Sequence, residues 1–320
     1  MTRTLPKQLQ GLRIPVLASP LFIISNPKSV IAQCKAGIIG SFPCLNARPA
    51  EQVEAWMKEI TEELDRHNQA NPDNPAAPWA VNQIVHRSND RLEHDIEMAM
   101  KYKAPITITS LGARADLNEA MHSVGGITLH DVINDKFAKK AVEKGADGLI
   151  AVAWGAGGHA GTLSPFALVN TIRAWYDGPL LLSGSISTGG AVLAAQAMGA
   201  DLAYIGSPFI ATHEARASED YKNAVVDNDG EDIVYTNLFT GVHGNYLRPS
   251  IEAAGMDPDN LPESDPSKMQ FGSGSSAKSK AWKDIWGCGQ GIGPIDKVQG
   301  AGDYVDQLVR EYEAAKARLL

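Results

Sequence analysis

Eight short apolar segments alternating with helix-like stretches predict a closed (β/α)8, or TIM, barrel. Three observations carry that prediction. The strand candidates are near-continuous apolar runs rather than alternating ones, as expected of a parallel sheet covered on both faces. Every gap between them is long enough to hold the helix that a parallel crossover needs. Two joints, Lys144-Gly145-Ala146-Asp147 and Met198-Gly199-Ala200-Asp201, share one pattern, a helix stopped by glycine and leading into an apolar strand. An open doubly wound sheet usually has fewer strands, and no G-x-G-x-x-G follows the first strand here.

Taken in order, the first strand lies in residues 14–20, and a helix starts near Pro27 and ends at Gly37. Residues 38–42 read as the second strand. An amphipathic helix over 50–67 follows, with Val53, Trp56, Met57, Ile60 and Leu64 at helical spacing, and then an exposed Pro/Asn loop at 71–78. The third strand is 79–85, and Asn89 or Asp90 is placed to cap the helix after it. Residues 106–111 and 126–132 are the fourth and fifth strands, and a helix over 135–144 leads to the sixth, 148–153. The seventh is 179–183 and the eighth 202–205, with helices over 166–176 and 191–198.

The whole chain, 1–320, is expected to form one barrel domain. Beyond Thr212 the pattern loosens, and residues 256–280 are rich in Pro, Ser, Gly and Asp. Residues 240–300 are read as an inserted segment that caps the barrel mouth, and 302–320 as a C-terminal helix; a plain surface loop is the alternative for the polar stretch. A hydrophobic content of 44% is enough for a full core. The net charge of −8, with no dense Lys/Arg cluster, argues against a nucleic-acid partner and against anionic membranes. Neither a signal peptide nor an apolar run of about 20 residues is visible, so a cytoplasmic protein is expected. Three cysteines, Cys34, Cys44 and Cys288, lack metal-type spacing, and no metal is expected.

Chemistry in such a barrel gathers at the C-terminal ends of the strands. The candidates there are Ser19 and Pro20, Asn82, Ser110, His130 and Asp131, the WGAGGHAGT stretch at 154–162, Ser183 with Gly184 and Ser185, and Gly206 with Ser207. The two Gly-Ser pairs offer backbone N–H groups and hydroxyls to a phosphate. In the 154–162 stretch, Gly157 and Gly158 leave room for a flat ligand, and His159 can act as a general base. Asn82 either hydrogen-bonds a heterocycle edge or is a plain strand-end turn residue, and His130 fits a structural or cofactor-lining role better than a catalytic one. Trp154, Trp282 and Trp286 either cover a flat ring or simply pack. No Ser-His-Asp arrangement, P-loop or paired metal ligands stand out.

These residues resemble a known family. The loop AGGHAG at 156–161 is similar to the A-G-G-H-x-G loop of the FMN-dependent nitronate monooxygenases, formerly 2-nitropropane dioxygenases. PVLASP at 15–20, Val81-Asn82, LSGSI at 182–186 and IGSPFIAT at 205–212 extend the likeness over residues 15–215. The resemblance implies an FMN enzyme that oxidises an alkyl nitronate, propionate 3-nitronate for instance, with O2 to a carbonyl compound and nitrite. It implies the FMN phosphate at Gly184, Ser185, Gly206 and Ser207, the ring near Asn82 and Gly158, and His159 as base; a homodimer is compatible with it. Leu21, Ser185 and Asp131 depart from the residues common in that family, which are methionine, glycine and, in some members, lysine. Enoyl reductases and NAD(P)H:quinone reductases on the same barrel, or a barrel that binds flavin or phosphate without catalysis, are the alternatives.

Overall fold

The computed structural model describes residues 4–264 and 284–319. Nine strands precede residue 206: β1 (Val16–Ala18), β2 (Gly40–Pro43), β3 (Trp79–Ile84), β4 (Ile106–Ser110), β5 (Ile127–Val132), β6 (Gly148–Val152), β7 (Gly158–His159), β8 (Leu180–Ser183) and β9 (Leu202–Ile205). All but β7 form one parallel sheet in the order β1-β9-β8-β6-β5-β4-β3-β2. Leu17 bridges Ile39, with Ala18 N donating to Ile39 O at 2.8 Å, so β1 also meets β2 and the barrel closes. The eight apolar runs read from the sequence are these eight strands.

Alternation along each strand sets what the interior holds. Leu17, Ala80, Ile106, Ile108, Leu129, Ile150, Leu181 and Leu202 share one phase and pack together as the buried interior. The next residues in that phase, towards the C-terminal ends, are Ser19, Asn82, Ser110, Asp131, Ser183 and Tyr204. The barrel is thus filled by hydrocarbon below and floored by polar groups above.

Helices α1 (Pro27–Lys35), α2 (Gln52–Ala70), α3 (Leu92–Lys101), α4 (Ala115–Ser123), α5 (Asp135–Glu143), α6 (Pro165–Arg173) and α7 (Gly189–Met198) follow the strands. Asn26, Asn134, Ser164 and Thr188 cap four of them by accepting backbone N–H groups. The expectation that Asn89 or Asp90 caps α3 is overturned. Arg91 holds the cap position, and Asn89 Oδ1 accepts Arg91 N, which lies just outside the helix. Arg91 takes that place because its guanidinium is anchored inward, on buried Asp95 at 3.0 Å and on the carbonyls of Ala47 and Cys44.

Residues 206–300 separate β9 from the last helix, α10 (Ala301–Leu319). That segment contributes α8 (Glu219–Asp227), β10 (Ile233–Thr236), β11 (Gly244–Leu247) and α9 (Arg248–Ala253). Residues 265–283, the later part of the polar stretch and Trp282 among them, lie outside the described residues. α10 packs against both α7 and α1. Tyr304 Oη donates to Ser187 O at 2.8 Å, and Glu311 Oε2 accepts Gly189 N at 2.8 Å. A Cβ on Gly189 would lie 2.2 Å from Leu308 O, so only glycine admits this approach. Among the described residues, no helix is long and apolar enough to cross a membrane.

Candidate active site

A cleft of about 2900 Å³ opens over the C-terminal ends of the barrel strands. Ser19, Pro20, Asn82, Ser110, His130, Asp131, Gly157, Gly158, His159, Ser183, Gly184, Ser185, Gly206 and Ser207 all line it. The sequence candidates are therefore neighbours in space. Trp286 also lines the cleft and stacks on Tyr221 at 4.9 Å, whereas Trp154 packs on Tyr235 at 4.8 Å and is absent from the lining.

The histidine stretch is not the free loop its glycines predict. Gly158 and His159 form β7, which pairs antiparallel with β11 through Gly244↔His159 and Asn245↔Gly158, and β11 pairs with β10. A local reading misses this because the partner lies some eighty residues downstream. The two glycines serve different ends. A Cβ on Gly157 would meet Gly289 N at 2.9 Å and the Cys288 carbonyl carbon at 3.0 Å, so its bareness lets residues 288–289 pack. Gly158 has φ +67° and nothing within 4 Å of its would-be Cβ; its reason is backbone conformation, and its open side faces the cleft.

His159 Nε2 lies 3.0 Å from Thr240 Oγ1, in the turn between β10 and β11. Burial pushes its pKa down to about 4, so the ring is neutral at ordinary pH. No sequence pattern marks Thr240, which stands in a stretch read only as insertion. His130 is out of phase with the barrel interior and bonds Thr109 Oγ1 through Nδ1 at 2.6 Å; burial also lowers it to about 4.

The floor is a directed chain of hydrogen bonds. Asn82 Nδ2 donates to Ile108 O at 3.2 Å and to Ser110 Oγ at 2.8 Å, and Ser110 Oγ donates to Asp131 Oδ2 at 2.5 Å. Both amide hydrogens of Asn82 are thereby committed, which leaves its Oδ1 as an acceptor for a ligand. Burial raises Asp131 to about 6, with the Ser110 bond opposing that shift. Burial and the Asp131 charge push the Tyr204 phenol up, and Ser19 hydrogen-bonds it.

At the ends of β8 and β9 the backbone is shaped to receive an anion. Gly184 has φ +124° and Ser185 φ +56°, so the chain turns sharply there. A Cβ on Gly184 would lie 2.8 Å from Trp154 O. No described residue accepts from the backbone N–H of Gly184, Ser185, Ile186 or Gly206. Ser207 opens a 3-10 turn and has no acceptor within it. Its hydroxyl is engaged by Gly289 N at 2.9 Å. At the outer rim, Arg48 and Arg216 line the cleft, with guanidinium groups 5.4 Å and 5.2 Å from the Phe22 and Trp56 ring centroids. Neither has a carboxylate within salt-bridge distance among the described residues. Those residues also hold no cluster of metal-ligating side chains.

The sequence profile described as nitronate monooxygenase matches residues 3–311. A nitronate monooxygenase from Paraburkholderia phytofirmans is 24% identical over 350 residues, which cover 97% of this chain and 95% of the relative. Among solved structures, nitroalkane oxidase from Streptomyces ansochromogenes superposes with a TM-score of 0.79 at 21% identity, covering 96% of this chain and 98% of that one. FabK from Thermotoga maritima gives 0.77 at 20% identity, covering 100% and 98%. At those identities the two structures bear on the fold.

Proposed function

We propose, taking as premise that this chain belongs to the nitronate monooxygenase family and is an oxidoreductase, that it binds FMN and oxidises alkyl nitronates with O2 to a carbonyl compound and nitrite. The observation that carries this reading is a neutral, partly buried histidine on the same cleft as a row of backbone N–H groups that have no acceptor among the described residues.

The residues present fit the cofactor. The N–H groups of Gly184, Ser185, Ile186, Gly206 and Ser207 suit a phosphate, for which no lysine is required. Asn82 Oδ1 suits the N–H of a flavin ring, and the bare side of Gly158 leaves room for a flat group. Bound there, FMN supplies an electron acceptor for the nitronate and an electron donor for O2.

The chain's own side chains handle protons and charge. His159 takes the α-proton of a neutral nitroalkane: the C–H bond breaks, its electron pair moves into the nitro group, and the proton stays on the imidazole. Arg48 and Arg216 attract the anionic nitronate to the mouth. A cytoplasmic location accords with three buried free thiols.

The test starts with the absorbance spectrum of the purified protein after mixing with FMN; a protein that gains no flavin band sinks the reading. Oxygen uptake with propionate 3-nitronate is then expected. The FabK-like fold makes the alternative outcome concrete, namely no oxygen uptake but NAD(P)H consumption with an enoyl thioester. His159→Asn is expected to abolish turnover of neutral nitroalkanes while preformed nitronates still react, and equal loss of both would remove the base assignment.

A further inference from the structure

We infer that Thr240 is a positioning residue that selects which nitrogen of His159 takes the substrate proton, an inference that rests on His159 being the base. Thr240 is buried, and its hydroxyl has three close neighbours. Oγ1 lies 2.8 Å from Val242 O, accepts Val242 N at 3.1 Å, and lies 3.0 Å from His159 Nε2. A carbonyl oxygen can only accept, so the proton on the 2.8 Å line comes from the hydroxyl, which has no second one. Nε2 must then donate to Oγ1. The neutral ring carries its hydrogen on Nε2 and its lone pair on Nδ1, and Nδ1 is the basic atom.

The surrounding groups agree with this polarity. Burial raises the nearby Tyr246 phenol to about 12, so it adds no negative charge beside the turn. Tyr235 Oη donates to Ala160 O at 3.1 Å, and the His243 ring stacks on Tyr235 at 5.0 Å. None of these supplies a carboxylate that would draw the proton off Nε2. The turn is also tied to the strand it serves. Gly244 pairs with His159, Ala160 N reaches His243 O at 3.4 Å, and a Cβ on Gly244 would lie 2.8 Å from Gly158 O.

Thr240 therefore acts in two ways. It holds the tautomer before the reaction, and it strengthens during it. When Nδ1 takes the α-proton the ring becomes imidazolium, and the Nε2–H bond to Oγ1 becomes charge-assisted. That gain appears as charge develops, so it favours the transition state over the ground state.

The variants are Thr240→Val, which keeps the shape and removes the hydroxyl, and Thr240→Ser, which keeps the hydroxyl. In Thr240→Val, kcat/KM for a neutral nitroalkane such as nitroethane is expected to fall roughly tenfold, the value of one hydrogen bond of about 1.4 kcal/mol. Turnover of preformed ethyl nitronate should stay within about twofold, and Thr240→Ser should restore most of the loss. The readout independent of turnover is 15N–1H NMR of the 15N-histidine-labelled holoprotein, with the His159 signals identified by their absence in His159→Asn. The wild type is expected to show the Nε2–H pattern, and Thr240→Val a mixture of tautomers. An Nδ1–H pattern in the wild type, equal loss on both substrates, or no rescue by serine overturns the proposal. Continued turnover of nitroethane by His159→Asn would instead overturn the base assignment on which it rests.

Discussion

Ser207 Oγ accepts the backbone N–H of Gly289 at 2.9 Å, which staples the end of β9 to the segment covering Gly157. The Cys288 side chain also hydrogen-bonds this hydroxyl, so its lone pair and its proton both meet protein, and an anion at this turn is expected to meet the backbone instead. Ser207→Ala is expected to cost about 1 kcal/mol of stability through the stranded N–H, seen as a lower thermal midpoint. FMN affinity, measured by fluorescence titration, should change by less than about threefold. A loss on the order of a hundredfold would show that the hydroxyl itself holds the phosphate.

The neighbouring glycines 157 and 158 should respond differently to alanine. Gly157→Ala forces a methyl against the backbone of Cys288 and Gly289, an overpacking worth roughly 1–3 kcal/mol. Gly158→Ala has space for its methyl but holds φ at +67°, which costs roughly 1–2 kcal/mol, and the methyl stands in the cleft. Thermal melts should rank Gly157→Ala as the less stable protein, and FMN titration should rank Gly158→Ala as the weaker binder. The reverse ranking would contradict the roles assigned to the two positions.

Asp131 and the two cleft histidines pull the pH dependence of stability in opposite directions. His130 and His159 fall to about 4 on folding from an ordinary 6.5, so their contribution is present above pH 6.5 and is lost as pH falls towards 4. Asp131 rises to about 6 from 3.8, so its contribution is present below pH 3.8 and is lost as pH rises through 6. Asp131→Asn keeps an acceptor for Ser110 and removes the buried charge. It is expected to melt higher than the wild type at about pH 7.5 and to lose that advantage at about pH 4. A constant offset across the range would show that packing, not ionisation, sets the effect.

Arg48 and Arg216 should matter more for an anion than for a neutral substrate. The double variant Arg48→Gln/Arg216→Gln is expected to lower kcat/KM for a nitronate by roughly tenfold at low ionic strength and to leave a neutral nitroalkane nearly unaffected. Salt should erase the difference, since the Debye length falls to about 3 Å at 1 M. Equal effects on both substrates would mean that the arginines shape the mouth instead of steering charge.

The barrel was legible because each of its strands is a local signal. An apolar run such as residues 148–153, ended by glycine-rich chain, needs no distant partner to be recognised, and the polar strand ends follow from position alone. β7 was not legible. Two residues, one of them glycine, become a strand only because Gly244 and Asn245 arrive from far along the chain. Thr240 was hidden for the same reason, since a lone threonine at the start of the inserted segment has no periodicity to betray it. The missed cap at Arg91 differs in kind: Asn89 and Asp90 have the right chemistry, but the buried pair with Asp95 fixes where the helix begins.

The closure of the outer ring has a consequence for how the protein is made. α10 fills the place between α7 and α1, grips the start of α7 through Tyr304 and Glu311, and is reached only after residues 206–300. During synthesis all eight barrel strands leave the ribosome before the helix that seals them. The nascent chain therefore carries a seam between its first and seventh helices, where Leu308 and Val305 will later be buried. Until α10 emerges, the apolar faces of that seam stay uncovered.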